Sequence, residues 1–160
     1  QTLTVCTAVD KASQELGLKQ RRDLLRLNVG ALKSTSPLLG HVSLFEGMPV
    51  ILRSHNLSTD LGITNGAQGI VRKIFTALCP AGFMYATCML VEFTHSKVHL
   101  TGLPIGYYPI IPSTWTFTTS IVSDDGNTEK IQITRHQLPI QPAFAVTGHS
   151  AQGKTLPHVL

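Results

Sequence analysis

Eight residues near the end of this chain, GHSAQGKT at 148–155, have the types and spacing of a phosphate-binding loop. Gly148, Gly153, Lys154 and Thr155 fit the pattern G-x-x-x-x-G-K-[ST]. In that pattern glycines let backbone N–H groups converge on phosphate oxygens, the lysine adds a cation, and the hydroxyl reaches a bound Mg²⁺. An apolar run from Ala143 to Val146 leads in and reads as the strand such a loop follows. Taken alone, the stretch points to a nucleoside triphosphate.

Other polar groups invite chemistry and support less of it. His95 and His99 flank Lys97. On a strand they would share a face, but four residues span about 13 Å, too far for one metal ion. Asp124 and Asp125 stand in an Asp-Asp-Gly-Asn run whose composition is that of a turn rather than a pair of working carboxylates. No Ser/His/Asp arrangement can be argued from spacing. The three cysteines, Cys6, Cys79 and Cys88, are odd in number and lack C-x-x-C spacing, so free thiols are expected instead of disulfides or zinc.

The elements around these groups are mostly β. The 160 residues are 42% hydrophobic and 14% charged, the composition of a folding chain, and they suffice for one domain or two small modules. The net charge of +4 suits a nucleic-acid partner and equally an ordinary basic surface. No apolar run approaches the roughly 18 residues a membrane span needs, and no membrane partner is expected. The start at Gln1 and the end at Leu160, inside an apolar pattern, read as the ends of a fragment.

Residues 2–9, rich in Thr and Val, predict a strand. Asp10 is placed to cap a helix over residues 11–27 with Leu16, Leu24, Leu25 and Leu27 on its apolar side. Lys19, Arg21, Arg22 and Arg26 would form a solvated face or, alternatively, a DNA contact. Gly30 and the Ser/Pro-containing residues after it read as a linker. From residue 42 short strands follow one another. Pro49 marks a strand start, Asn65-Gly66 a turn, Gly69 a bulge or a close backbone approach, and residues 83–93 a long strand. Residues 98–104, 107–122 and 129–141 continue the series. Such spacing predicts a small barrel or sandwich.

That texture does not suit a self-contained nucleotide hydrolase. A working phosphate loop needs a helix after the Lys-Thr pair and further strands carrying an acid for Mg²⁺. Here Pro157 follows within two residues, and no upstream apolar strand ends in Asp or Asp-Glu.

Two segments resolve the conflict by resemblance. LFEGMPVILRSHNLSTDLGITNGAQGIVRKI (44–74) resembles the part of Pif-one-type DNA helicases that reads roughly L-x-x-G-x-P-V-x-L-x-x-N, then G-x-x-N-G-x-x-G-x-V. QLPIQPAFAVTGHSAQGKTL (137–156) resembles that family's late motif, motif V, of form P-x-x-x-A-[FY]-A-x-T-x-H-[KS]-x-Q-G-x-T-[LF]. The two stand in the family's order, and the likeness is closest to fungal helicase-like proteins of this type.

The resemblance implies a mixed, β-rich fold: a small inserted Src-homology-3-like β-barrel plus part of the second RecA-like α/β domain. It divides the chain into 1–40, a strand, helix and linker of that domain or its insert; 41–136, the barrel; and 137–160, a RecA-like strand with the motif V loop. It implies that Thr147, His149, Ser150, Gln152 and Lys154 contact single-stranded DNA, while Gly153 and Thr155 couple that contact to the nucleotide cleft. Hydroxyls, an imidazole and Gly-rich backbone N–H groups are the groups that hold phosphates without reading bases. Lys154 occupies a position the family leaves variable.

In the full-length parent the resemblance implies ATP and Mg²⁺ as cofactors, the first RecA-like domain of the same chain as a partner, and 5′-to-3′ movement along one strand. It also implies roles in DNA repair, recombination and telomere maintenance, in the nucleus or the mitochondrion. The phosphate loop, the Mg²⁺-binding acids, the sensor glutamine and the final arginine motif of such helicases have no counterpart in these residues. The stretch by itself is therefore expected to be inactive and to bind neither cofactor. Two rival readings remain: a catalytically dead remnant that binds single-stranded nucleic acid, and a stand-alone nucleotide-binding protein using Lys154. Arg53, Arg72 and Lys73 could line a DNA-facing rim. Tyr107, Tyr108, Trp115 and Phe117 could stack on bases, although burial in a core is the better expectation for Trp115 and Phe117.

Overall fold

The computed structural model describes residues 2–27, 29, 37–54, 57–80 and 82–143. Residues 30–36 of the expected linker lie outside them. The architecture is β-rich, with three sheets and one helix among the described residues. Strands β1 (Thr4–Thr7) and β3 (His41–Leu44) form a two-stranded antiparallel sheet. Strands β10 (Ile140–Pro142), β4 (Pro49–Leu52), β5 (Gln68–Leu78), β6 (Met84–Glu92) and β7 (Tyr107–Ile110) lie side by side in that order. The third sheet is β2 (Val9–Lys11), β9 (Thr128–Gln137) and β8 (Ser113–Val122).

Alternation in the sequence sets the two cores. In β3 the exposed His41 and Ser43 alternate with the buried Val42 and Leu44, as a half-covered sheet requires. Val42 and Leu44 pack with Cys6, Val50, Leu52, Val71, Met89 and Val91 into the larger core. The smaller core lies between the third sheet and helix α1 (Leu18–Arg26), where Leu24 meets Trp115, Phe117 and the fully buried Ile133. Burying one such Ile side chain contributes about 1.5–3 kcal/mol.

Three short joints carry the chain between sheets. Between β1 and β2 the joint is Ala8, whose N–H donates to the Gly40 carbonyl at 2.8 Å. Between β7 and β8 it is Ile111-Pro112, so residues 107–122 form two strands in different sheets. Between β9 and β10 it is Leu138-Pro139. The strand expected over residues 2–9 is broken for the same reason: it serves two sheets.

The expected helix start is corrected. Asp10 lies in β2 with its carboxylate engaged elsewhere, and α1 begins at Leu18 after Gly17, whose N–H donates to Gln20 Oε1 at 2.9 Å. Residues 98–104 are a loop and not a strand. Val98 is buried there, and its carbonyl accepts from the Gly106 N–H at 2.7 Å. Pro104 and Gly102 disfavour a ladder at these positions.

Other local expectations hold. Pro49 opens β4. Gly66 sits in a turn with φ of 90°, a left-handed conformation that glycine adopts without strain, and its N–H donates to the Leu52 carbonyl at 2.7 Å. Gly69 is a close approach: a Cβ there would lie 2.4 Å from Val91 Cγ1 and 3.0 Å from the Glu92 carbonyl oxygen. The bulge comes just after, where the β5–β6 register shifts between Val71 and Lys73. In the β8–β9 turn, Asp125 Oδ1 accepts from the Asn127 N–H at 3.0 Å and from the Ser123 hydroxyl. The Asp-Asp-Gly-Asn run is thus a turn former.

Candidate nucleic-acid interface

Thr147, His149, Ser150, Gln152, Gly153, Lys154 and Thr155 lie outside the described residues, as do residues 144–146 of the strand expected to lead into them. What is described is the platform that delivers the chain to them. Leu138 and Ile140 are anchored in the larger core, and β10 pairs antiparallel with β4, Ile140 opposite Leu52 and Pro142 opposite Val50. A proline is tolerated there because β10 is an edge strand. The chain therefore leaves Pro142 for the loop from a fixed position.

A cleft of 340 Å³ adjoins this exit, lined by Arg53, Asn65, Leu39, Pro139, Gln141 and Pro142 among others. Arg53 is exposed, and its backbone N–H donates to the Pro139 carbonyl at 2.7 Å, which ties its position to the strand leading to the loop. Of the three rim cations expected from sequence, Arg53 alone lines this cleft. Arg72 donates through Nε to Glu92 Oε2 at 2.8 Å and again through Nη2. That pairing raises the guanidinium's already high pKa and engages its charge locally. Lys73 Nζ lies 5.2 Å from the Phe75 ring centroid, an exposed cation–π contact away from the cleft.

The aromatics divide as their burial dictates. Trp115 and Phe117 are 9% and 7% exposed and stack on each other, with centroids 4.4 Å apart and planes at 24°. They are core residues, and neither face is offered to a base. Tyr107 and Tyr108 are half-buried on β7, and Tyr108 packs against the larger core. Of the helix cations, Arg21 donates to the Asp10 carbonyl at 2.9 Å, while Lys19, Arg22 and Arg26 are exposed.

His95 and His99 are exposed and lie after β6, outside any strand. Among the described residues no three His, Cys, Asp or Glu side chains are grouped to hold a metal ion. No described helix is long and apolar enough to cross a membrane. The cysteines are free, and burial pushes the Cys6 and Cys88 thiols up from their ordinary pKa.

Sequence reasoning missed the polar residues that hold this platform together. Arg135, fully buried, donates from Nε and Nη2 to the Asp10 carboxylate at 2.7 and 2.9 Å. It also reaches the Leu24 carbonyl at 2.9 Å and the Leu38 carbonyl at 3.2 Å. Two residues on, buried Gln137 donates to the Cys6 carbonyl at 3.0 Å and accepts from the Leu138 N–H at 2.9 Å. The available signal was alternation: Ile133, Arg135 and Gln137 occupy successive inward positions of one strand.

No family model and no curated protein matches the sequence. Solved structures do match. Pif1 from Bacteroides bound to single-stranded DNA aligns over 98% of this chain with a TM-score of 0.53 and 21% identity. Bacteroides Pif1 in complex with ADP-AlF3 and single-stranded DNA aligns over 96% with a TM-score of 0.52 and 21% identity. Pif1 helicase from Candida albicans aligns over 97% with a TM-score of 0.51 and 18% identity. The chain spans 28%, 27% and 31% of those three proteins, respectively. It therefore shares its fold with one segment of Pif1 helicases.

Proposed function

We propose that this chain is the part of a Pif1-like, ATP-dependent DNA helicase that contacts single-stranded DNA and couples the contact to ATP hydrolysis in the full-length parent. The observation that carries the reading is the fold match over nearly the whole chain, coinciding with the two helicase-like motifs in the same order. Strands β3 to β9, over residues 41–136, would correspond to the inserted Src-homology-3-like barrel. Residues 1–40 would belong to the second RecA-like domain or its insert, and residues 137–160 would be a RecA-like strand with the motif V loop.

In this reading the loop after Pro142 holds the DNA backbone. Thr147, Ser150 and backbone N–H groups donate to phosphate oxygens, His149 and Gln152 add further polar contacts, and Lys154 adds an ionic one. Gly153 and Thr155 link the loop to the cleft where the parent's first RecA-like domain binds ATP and Mg²⁺. Both cofactors are assigned to the parent. Opening and closing of the cleft would move the parent 5′ to 3′ along its strand, in the nucleus or the mitochondrion, in repair, recombination or telomere maintenance.

The test is fluorescence anisotropy of the 160-residue chain with labelled oligo(dT) and with a labelled ATP analogue. Oligo(dT) binding that weakens about tenfold in H149A/K154A, with no ATP binding to lose, is the expected result. Tight ATP binding abolished by K154A would overturn it in favour of a stand-alone nucleotide site. A parent gene lacking an upstream phosphate loop would reduce the function to a DNA-binding remnant.

A further inference from the structure

The third sheet turns one face to the smaller core and the other outward, and the outward face has an unusual composition. Thr114, Thr116, Thr118 and Ser120 of β8 are all exposed. Directly opposite them on β9 stand His136, Thr134, Gln132 and Lys130, and directly opposed residues share a face. On the far side of β9, Val9 is opposite His136 and Lys11 is opposite Thr134. The outward surface is therefore a lattice of hydroxyls and an amide with Lys11, Lys130 and His136 set among them. No Asp or Glu stands at any outward position of these three strands: Asp10 is turned inward to Arg135, and the exposed Glu129, opposite Ile121, lies on the other face. Solvated surfaces usually intersperse both signs of charge; this one carries a single sign.

At its β2 edge the face runs into a groove of 580 Å³. Val9, Lys11 and His136 line one side, and Tyr85 and Thr87 of β6 line another. His136 lines the groove, and its Nδ1 is buried with no hydrogen-bond partner among the described residues.

We propose that this face and groove form a second binding track for single-stranded DNA, separate from the loop after Pro142. It takes only its ligand from the function proposed above. Threonine hydroxyls and the two lysines hold the sugar-phosphate backbone without reading sequence. The absence of carboxylates removes the repulsion that would otherwise oppose a polyanion. The groove accepts one unpaired base against Tyr85, within reach of His136. A duplex presents no such base, so the track selects single strands.

The experiment measures oligo(dT) affinity against salt for the wild-type chain, K11A/K130A, T116K and the loop variant H149A/K154A, with circular-dichroism melts as the folding check. All three positions of the face variants are exposed, and their melts are expected to match wild type. K11A/K130A should weaken binding about tenfold at low salt and flatten the log–log salt slope by about 1.4, the contribution of two phosphate contacts on a single strand. T116K should tighten binding and steepen the slope. A 4-thiothymidine oligonucleotide should photo-crosslink in the groove, and Y85A should lose the crosslink. If K11A/K130A and T116K bind as wild type while H149A/K154A weakens, the track is overturned and the loop assignment stands. If only the face variants respond, the track stands and the loop assignment fails. Equal affinity for duplex and single strand overturns the track.

Discussion

Asp10 and Arg135 stand 125 residues apart in sequence and meet through two charge-assisted hydrogen bonds, with side chains 3% and 0% exposed. Arg135 also satisfies carbonyls at Leu24 and Leu38, and its guanidinium carbon lies 5.2 Å from the Phe117 ring centroid. One side chain thus joins β2, β9, α1 and the segment before β3. Removing either charge strands the other in an apolar interior. D10A or R135A should therefore cost about 3–5 kcal/mol, read as a lower midpoint in urea unfolding. The double variant D10L/R135M should recover much of that loss, but not the carbonyl bonds.

Trp115 gives a prediction that separates packing from binding. W115A opens a cavity beside Phe117 and should cost about 3–5 kcal/mol. Its oligo(dT) affinity, measured well below its melting temperature, should equal that of the wild type because the ring is packed into the smaller core.

Gly69 tests how closely β5 and β6 approach. G69A drives a methyl group into Val91 and the Glu92 carbonyl. The Val91 side chain can turn but the backbone cannot, so a loss of about 1–3 kcal/mol is expected in the same unfolding assay.

The β8–β9 turn should titrate. Hydrogen bonds from Ser123, and then from Asn127, hold the Asp125 carboxyl below its ordinary pKa. A depressed folded-state pKa means the turn's contribution is fully present above the unfolded carboxylate value and is lost as pH falls through the folded one. NMR titration should place the Asp125 midpoint below that of an unstructured peptide, and S123A should bring it back up.

Much of the fold was legible because local chemistry and tertiary demand agree there. Pro49, Gly66, Gly69 and the Asp-Asp-Gly-Asn turn each do what their backbone preferences dictate. Trp115 and Phe117 are buried, as a Pro-punctuated β segment implies. Asp10 misled because a helix cap and a buried ion-pair partner look the same in one dimension. Its true partner is at the other end of the chain, a non-local choice that no window of residues displays. The same limit hid the division of residues 2–9 and 107–122 between sheets. Of the proposed interface, the loop at 147–155 was read from the sequence and lies outside the described residues, while the structure shows β10, the adjacent Arg53 cleft and the carboxylate-free face of the third sheet.

The joint at Leu138-Pro139 has a mechanical consequence. Any tension drawn on the chain beyond Pro142 first loads the short β10–β4 ladder. It then passes through two residues to β9, the central strand of the third sheet, paired along its whole length with β8. Buried Gln137, tied to the Cys6 carbonyl, shares the load with β1. A pull on the chain at Pro142 is thus shared between both cores.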